Sequence, residues 1–281
     1  MKFSHATADV FVPDGVTPEK AASRTTHLCI AAHQDDIEIM AYPGISECFS
    51  RFDRWISGVV VTNGAGSPRS GPYADFSDEQ MRAVRRVEQR KAAYVGDYSI
   101  QFQLDFPSVE VKRSGGDIVQ DLVTILEATR PDVLYLHNPA DKHETHVAVL
   151  ARCLEALRRL PRESRPQRTY GCEVWRGLDW LVDEDKVVLS ASDFPNVSAA
   201  LVGVFDSQIS GGKRYDLATA GRRLANATYF ASHSTDQETA LVFALDLSPL
   251  VQDDGLSLAD FTVSFIDRFR QDVKNRIQKV G

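Results

Sequence analysis

The sequence predicts an α/β protein built on a mostly parallel sheet with helices on both faces. Two observations carry that reading. Short apolar runs alternate with amphipathic or charged segments as β-α-β-α through residue 160, the order that sets strands side by side and helices across them. Two of those apolar runs end abruptly in histidine- and aspartate-rich segments, and the C-terminal ends of parallel strands are where sites form in such sheets. The composition agrees. Of 281 residues, 43% are hydrophobic and 25% charged, the balance of a globular chain that can bury a sizeable core.

The elements follow in order. Residues 1–25 are polar, contain Pro13, Gly15 and Pro18, and read as an N-terminal arm crossing the surface. His27 to Ala32 is a short apolar run and hence a buried strand. Pro43, suited to a first helical turn, opens a helix to about Phe52. Ile56 to Thr62 is the second strand, and Asn63 to Pro72 a loop by its glycines and prolines. Asp78 to Val95 is a long charged helix with Gly96 just past its end. A strand over Ser99–Asp105, a helix over Asp117–Thr129, a strand over Asp132–His137, a loop over Asn138–Lys142 and a helix over Glu144–Arg159 complete the regular half. The second half is less regular, with strands near Tyr170–Trp175, Lys186–Ala191 and Ala240–Leu245. Helices are expected there near Val197–Gln208, Lys213–Phe230 and Ser257–Lys274. No repeat or long linker interrupts the chain, so one domain over 26–281 is expected, with a core at about 27–208 and a C-terminal extension over 209–281.

Several classes are excluded. Lys and Arg total 32 against 39 Asp and Glu, a net charge of −7, so no basic face for nucleic acid can be inferred. No apolar run approaches the roughly 18 residues of a membrane span, and residues 1–10 lack the apolar core of a secretory signal. A cytoplasmic setting is expected. Cys29, Cys48, Cys153 and Cys172 are far apart, and Cys29 and Cys153 read as buried thiols rather than redox or metal groups.

Chemistry concentrates in His33-Gln34-Asp35-Asp36 and in the stretch from His137 to His146, which together hold four of the seven histidines. His143 and His146, three apart at a helix start, can project from one face. His33 and Asp36, three apart in a turn, can converge on one point. A catalytic zinc needs three protein ligands and an open position. His33, Asp36 and one of His143 and His146 supply three, leaving Asp35 and the other histidine as base and oxyanion stabiliser. Alone, an H-x-x-H is often a surface pair and an Asp-Asp after a strand an N-cap; both at strand ends of one sheet point to a metal.

These two segments resemble the signatures of the PIG-L/LmbE-like family of zinc-dependent N-acetylglucosaminyl deacetylases, His-Pro-Asp-Asp and His-x-x-His. Val60-Val61-Thr62-Asn63-Gly64, Arg85-Arg86-Val87-Glu88 with Ala92, Ala93 and Gly96, and Ser207-Gln208 resemble weaker family segments. The resemblance implies a Rossmann-like fold, zinc held by His33, Asp36 and His146, Asp35 as general base, and His143 as oxyanion stabiliser and general acid. Two departures stand out. Gln34 replaces the usual proline, which bears on turn rigidity or pocket polarity. Ile37-Glu38 follows where the acidic residue normally comes one position earlier, so Glu38 reads as a surface carboxylate, with support of a ligand histidine as the alternative.

Substrate-binding candidates follow from position: Arg85, which matches a family arginine but could instead pair with Glu88; Asp105 and Asp141 at the presumed active edge, Asp141 alternatively a helix cap; Trp175 as a pocket wall or core residue; and the isolated late His233. His137 ends its strand at the same edge and reads as structural. The Gly64–Phe76 loop, with Arg69 and Tyr73, has the length of a lid or specificity element. The expected function is metal-dependent hydrolysis of an N-acetyl or similar N-acyl group on an amino-sugar-containing small molecule. The alternatives are a zinc amidase acting on a non-sugar amide and a non-catalytic α/β ligand-binding protein. Fe2+ stays open beside Zn2+, because two imidazoles and a carboxylate suit several divalent ions. A homo-oligomer is compatible with all of this.

Overall fold

The computed structural model describes residues 1–113 and 116–281. Its strands are β1 (Asp9–Phe11), β2 (His27–Ala31), β3 (Ile56–Thr62), β4 (Gln101–Phe106), β5 (Val133–His137), β6 (Arg168–Cys172), β7 (Lys186–Ser190) and β8 (Leu241–Asp246). The helices are α1 (Pro18–Ser23), α2 (Asp36–Met40), α3 (Tyr42–Cys48), α4 (Asp78–Val95), α5 (Ser108–Lys112), α6 (Gly116–Thr129) and α7 (Glu144–Arg159). They continue with α8 (Pro195–Gly203), α9 (Asp206–Ile209), α10 (Tyr215–Tyr229), α11 (Ser248–Gln252) and α12 (Leu258–Val280).

One sheet runs in the order β1-β4-β3-β2-β5-β6-β8-β7. Its five central strands, β4 through β6, are parallel. β1 joins one edge antiparallel, and β8 and β7 extend the other edge antiparallel. This is an α/β fold with a mostly parallel sheet flanked by helices. From β2 the chain proceeds to β3 and β4 on one side, then returns to β5 on the other, so the strand order reverses between β2 and β5. That reversal opens a crevice beyond the C-terminal ends of both strands, where His33-Gln34-Asp35-Asp36 and His137–His146 emerge.

The continuous apolar runs arise because both sheet faces are covered. Along β2, Leu28 and Ile30 join a core with α6 and α7, while Cys29 and Ala31 join a second core with α2, α3 and α8. Each fully buried Leu, Ile or Phe side chain contributes about 1.5–3 kcal/mol, and these two layers hold the crevice walls rigid. All four cysteines are free and buried.

The structure departs from the sequence reading at four places. Residues 1–25 do more than cross the surface: β1 pairs with β4, and α1 buries Ala21 and Ala22. The expected Pro43–Phe52 helix begins at Tyr42, ends at Cys48, and is preceded by the single turn of α2. The expected Val197–Gln208 helix is split into α8 and α9. The last helix runs on to Val280. No helix among the described residues is long and apolar enough to cross a membrane.

Candidate active site

Asp35 adopts a left-handed backbone, φ 85°, which only Asn, Asp and Gly tolerate readily. The twist sends two consecutive carboxylates to different tasks. Asp36, at the start of α2, accepts the His33 backbone N–H at 2.8 Å. Its Oδ2 lies 3.2 Å from His33 Nδ1 and 3.3 Å from His146 Nε2, and those two nitrogens lie 3.2 Å apart. Three donor atoms thus form a nearly equilateral triangle. Ligand atoms 2.0–2.2 Å from a tetrahedral ion lie about 3.3–3.6 Å from one another, so the donor set fits a divalent cation in type and spacing. In the absence of a cation, two imidazole nitrogens facing each other at this distance share one proton. His146 is raised above the usual imidazole range: burial opposes its charge, but Asp36 and Asp141 outweigh it. Burial pushes His33 down, partly offset by Asp36.

Asp141 stands behind His146. Its Oδ2 meets His146 Nδ1 at 3.4 Å and accepts the Trp175 N–H at 3.1 Å, and its Oδ1 accepts the His143 N–H at 2.9 Å. This places the imidazole proton on Nδ1 and turns the Nε2 lone pair toward the triangle. Asp141→Asn sets an amide NH2 against an N–H donor and is expected to weaken zinc affinity about 10–100-fold. Competitive metal titration measures this, and unchanged affinity would contradict the assignment.

His137 is fully buried and stacked on His146, with ring centroids 3.9 Å apart. Its Nε2 accepts the Ala32 N–H at 2.9 Å, so its lone pair is taken and it serves as a plate beneath His146. On the other side His143 stacks at 4.6 Å. The His143 Nδ1 accepts the Thr145 N–H at 3.3 Å at the start of α7, leaving the neutral ring's proton on Nε2. Burial and the neighbouring His33 and His146 push His143 down to about 4.

Asp35 faces Arg85, whose NH1 lies 3.4 Å from Asp35 Oδ2. Burial drives the Asp35 carboxyl up to about 8, with Arg85 opposing and Asp36 and Glu38 reinforcing. Arg85 is fully buried; it donates to the Gln34 carbonyl at 2.6 Å and to Gln34 Oε1 at 3.4 Å, and makes no pair with Glu88. Glu88 instead accepts from the Ser207 N–H at 2.7 Å and O–H at 2.6 Å, so the R-x-x-E and Ser-Gln segments meet in space. Gln34, where proline is usual, also donates toward Thr62 O and Gln103 Oε1.

Glu38 is no surface carboxylate. It is fully buried, accepting Tyr98 O–H at 2.8 Å and Gln89 N–H at 2.9 Å, while Gln89 accepts the Asp35 N–H at 3.3 Å. It therefore braces the Asp35 turn and touches no ligand histidine. Its Oε2 has no partner, and burial pushes its carboxyl up to about 7. A raised folded-state value means the fold keeps a proton that the unfolded chain releases, so stability falls as pH rises from about 4.5 to about 7. Metal-free Glu38→Gln is expected to match the native chain at pH 5 and to exceed it by about 2–3 kcal/mol at pH 8. Denaturant midpoints at the two pH values check this; a native-like pH slope in the variant would contradict it.

A cavity of about 640 Å³ opens over these groups, lined among others by His33, Asp35, Asp36, Arg85, His143 and Trp175. The structure thus brings together eight of the ten candidates, six in the lining and Asp141 and His146 immediately beneath the floor. It does not bring in the other two. Asp105 is held by Thr7, Arg82 and Arg86 away from the cavity, and His233 is exposed in the segment between α10 and β8. From the Gly64–Phe76 loop, Gly64, Gly66, Ser67 and Pro68 form one wall, while Arg69 pairs with Asp78 and Tyr73 with Asp206. Sequence reasoning missed Gln89, Tyr98, Lys112, Lys213, Tyr215 and Arg222. Tyr215, Ala218, Thr219 and Arg222 of α10 all face the cavity at helical spacing, a periodicity visible in the sequence without a hydrophobic signal to mark it.

Residues 28–157 match the family model described as PIG-L, GlcNAc-PI de-N-acetylase. No curated protein matches the chain. Among solved structures, the chain is similar to GalB, the 4-carboxy-2-hydroxymuconate hydratase from Pseudomonas putida KT2440, at 16% identity and a TM-score of 0.61, over 79% of this chain and 95% of that one. It is similar to N,N'-diacetylchitobiose deacetylase from Pyrococcus horikoshii at 15% identity and 0.56, over 82% and 88%. A third is the A40926 pseudoaglycone deacetylase Dbv21, at 15% and 0.57, over 80% and 97%. At these identities the structural likeness shows a shared fold. Both signature segments lie inside the range matched by the PIG-L family model, residues 28–157.

Proposed function

We propose that the protein is a metal-dependent N-deacetylase, removing an acetyl or similar acyl group from an amino-sugar-containing small molecule. The observation that carries this is the His33–Asp36–His146 triangle at the floor of a cavity, with Asp35 and His143 beside it and neither needed as a ligand. Zinc bound there would supply Lewis acidity toward water and the amide carbonyl. Asp35 takes the proton of the attacking water and later returns it. Arg85 orients that carboxylate. His143, neutral, donates Nε2–H to the carbonyl oxygen as it gains charge. The C–N bond breaks, the proton held on Asp35 passes to the leaving nitrogen, and a carboxylic acid and an amine result, which exchange a proton to leave as carboxylate and ammonium. The family match and the deacetylases among the fold neighbours support this reading. The free, buried cysteines fit a cytoplasmic setting.

A second reading draws on the hydratase among the fold neighbours: the same groups can add water across an activated double bond. The separating experiment incubates zinc-loaded protein with N-acetylated amino sugars, simple acylated amines and unsaturated carboxylates. Primary amine release from the amino sugars is the expected result. Hydration without amine release would overturn it in favour of the second reading.

A further inference from the structure

We infer that the substrate carries an anionic group, carboxylate or phosphate, away from its reacting bond, held by Lys213, Arg222 and Lys112. The inference rests on the deacetylase reading only for the kind of molecule that bears the anion. Above its floor the cavity is cationic. Its lining carboxylates are Asp35 and Asp36, one paired with Arg85 and the other shared between His33 and His146. Lys112, Lys213 and Arg222 complete the charged lining, and their charges are poorly matched within the protein. The Lys213 ammonium makes no ion pair among the described residues and instead lies 5.1 Å from the Trp175 ring centre. Arg222 gives one N–H to the Val174 carbonyl and lies near the buried Glu173, with no ion pair to it among the described residues. Lys112 has, among the described residues, one ion-pair partner, the exposed Glu144 at 3.9 Å.

Such a concentration of positive charge in a chain of net charge −7 focuses a field into the cavity and favours an anionic visitor. A neutral sugar would instead call for carboxylates and amides to accept from its hydroxyls, and among the described residues the lining above the floor offers one amide, Gln208, beside the hydroxyls of Ser67, Ser108, Tyr215 and Thr219. Trp175 joins the two ends. Its ring lies 6.1 Å from that of His143 and beside Lys213, so a ring stacked on the indole reaches the catalytic groups with one edge and the cations with the other.

The test compares binding of N-acetylglucosamine, its 1- and 6-phosphates and N-acetylmuramic acid, by calorimetry. Protein stripped of metal and dialysed free of chelator is used, so that no ion can take the anion. At least one anionic ligand is expected to bind roughly 10–100-fold tighter than the neutral sugar. The advantage should shrink with added salt and collapse toward unity in Lys213→Ala and Arg222→Ala. Preference for the phosphates or for the carboxylate identifies the anion. Equal binding of neutral and anionic ligands, no binding of any, or an anion preference that survives both substitutions would overturn the inference. Amine release by the zinc-loaded protein is scored separately: an anion preference without it would remove the deacetylase reading and leave the cationic wall assigned.

Discussion

Asp35→Asn is expected to lower turnover about 10²–10⁴-fold while zinc still binds with native stoichiometry. Asn cannot take a proton from water, and Asp35 belongs to no edge of the donor triangle, so base and ligand functions separate in this one variant. Stability should change little. Burial already favours the neutral form of this carboxyl, up to about 8, and asparagine matches that form in charge and shape. Arg85 keeps both of its bonds to Gln34. Metal content, thermal midpoint and steady-state rate on one preparation decide the matter. A fully active Asp35→Asn would show that another group takes the proton.

His146→Ala is expected to abolish stable zinc binding and turnover together. The loss of affinity should exceed the roughly 10–100-fold of Asp141→Asn, because a ligand is removed rather than its support. The ring also separates His137 from His143 and neutralises Asp36, so its removal leaves Asp36 and Asp141 as buried carboxylates without their shared cation. Metal titration of both variants checks the order of effects. Native zinc affinity in His146→Ala would exclude this histidine as a ligand.

How much of this is legible in the sequence depends on the range of the interaction. His33-x-x-Asp36 and His143-x-x-His146 can be read because each spacing is local and each follows an apolar run whose strand identity is clear. The alternation of strands and helices through Arg159 is local in the same sense, and the parallel sheet with its reversal between β2 and β5 follows from it. Edge pairing is not local: β1 against β4, and β8 antiparallel to both β6 and β7, depend on partners 50–100 residues away that no period announces. Charge burial is hidden for a related reason. Glu38, Gln89 and Arg85 lie on helices whose polar residues look solvated in sequence, and they become buried because α4 lies over the Asp35 turn. Lys213 and Arg222 resemble ordinary surface charges until α10 is placed across the cavity.

Metal content measured together with activity, before and after chelation, is the most direct test of the metal site. About one zinc per chain is expected, with amine release from an N-acetylated amino sugar, loss of both on chelation and return of both when zinc is restored. A chain that binds no divalent metal after zinc is restored, and releases no amine, would contradict this and return His33, Asp36 and His146 to structural roles.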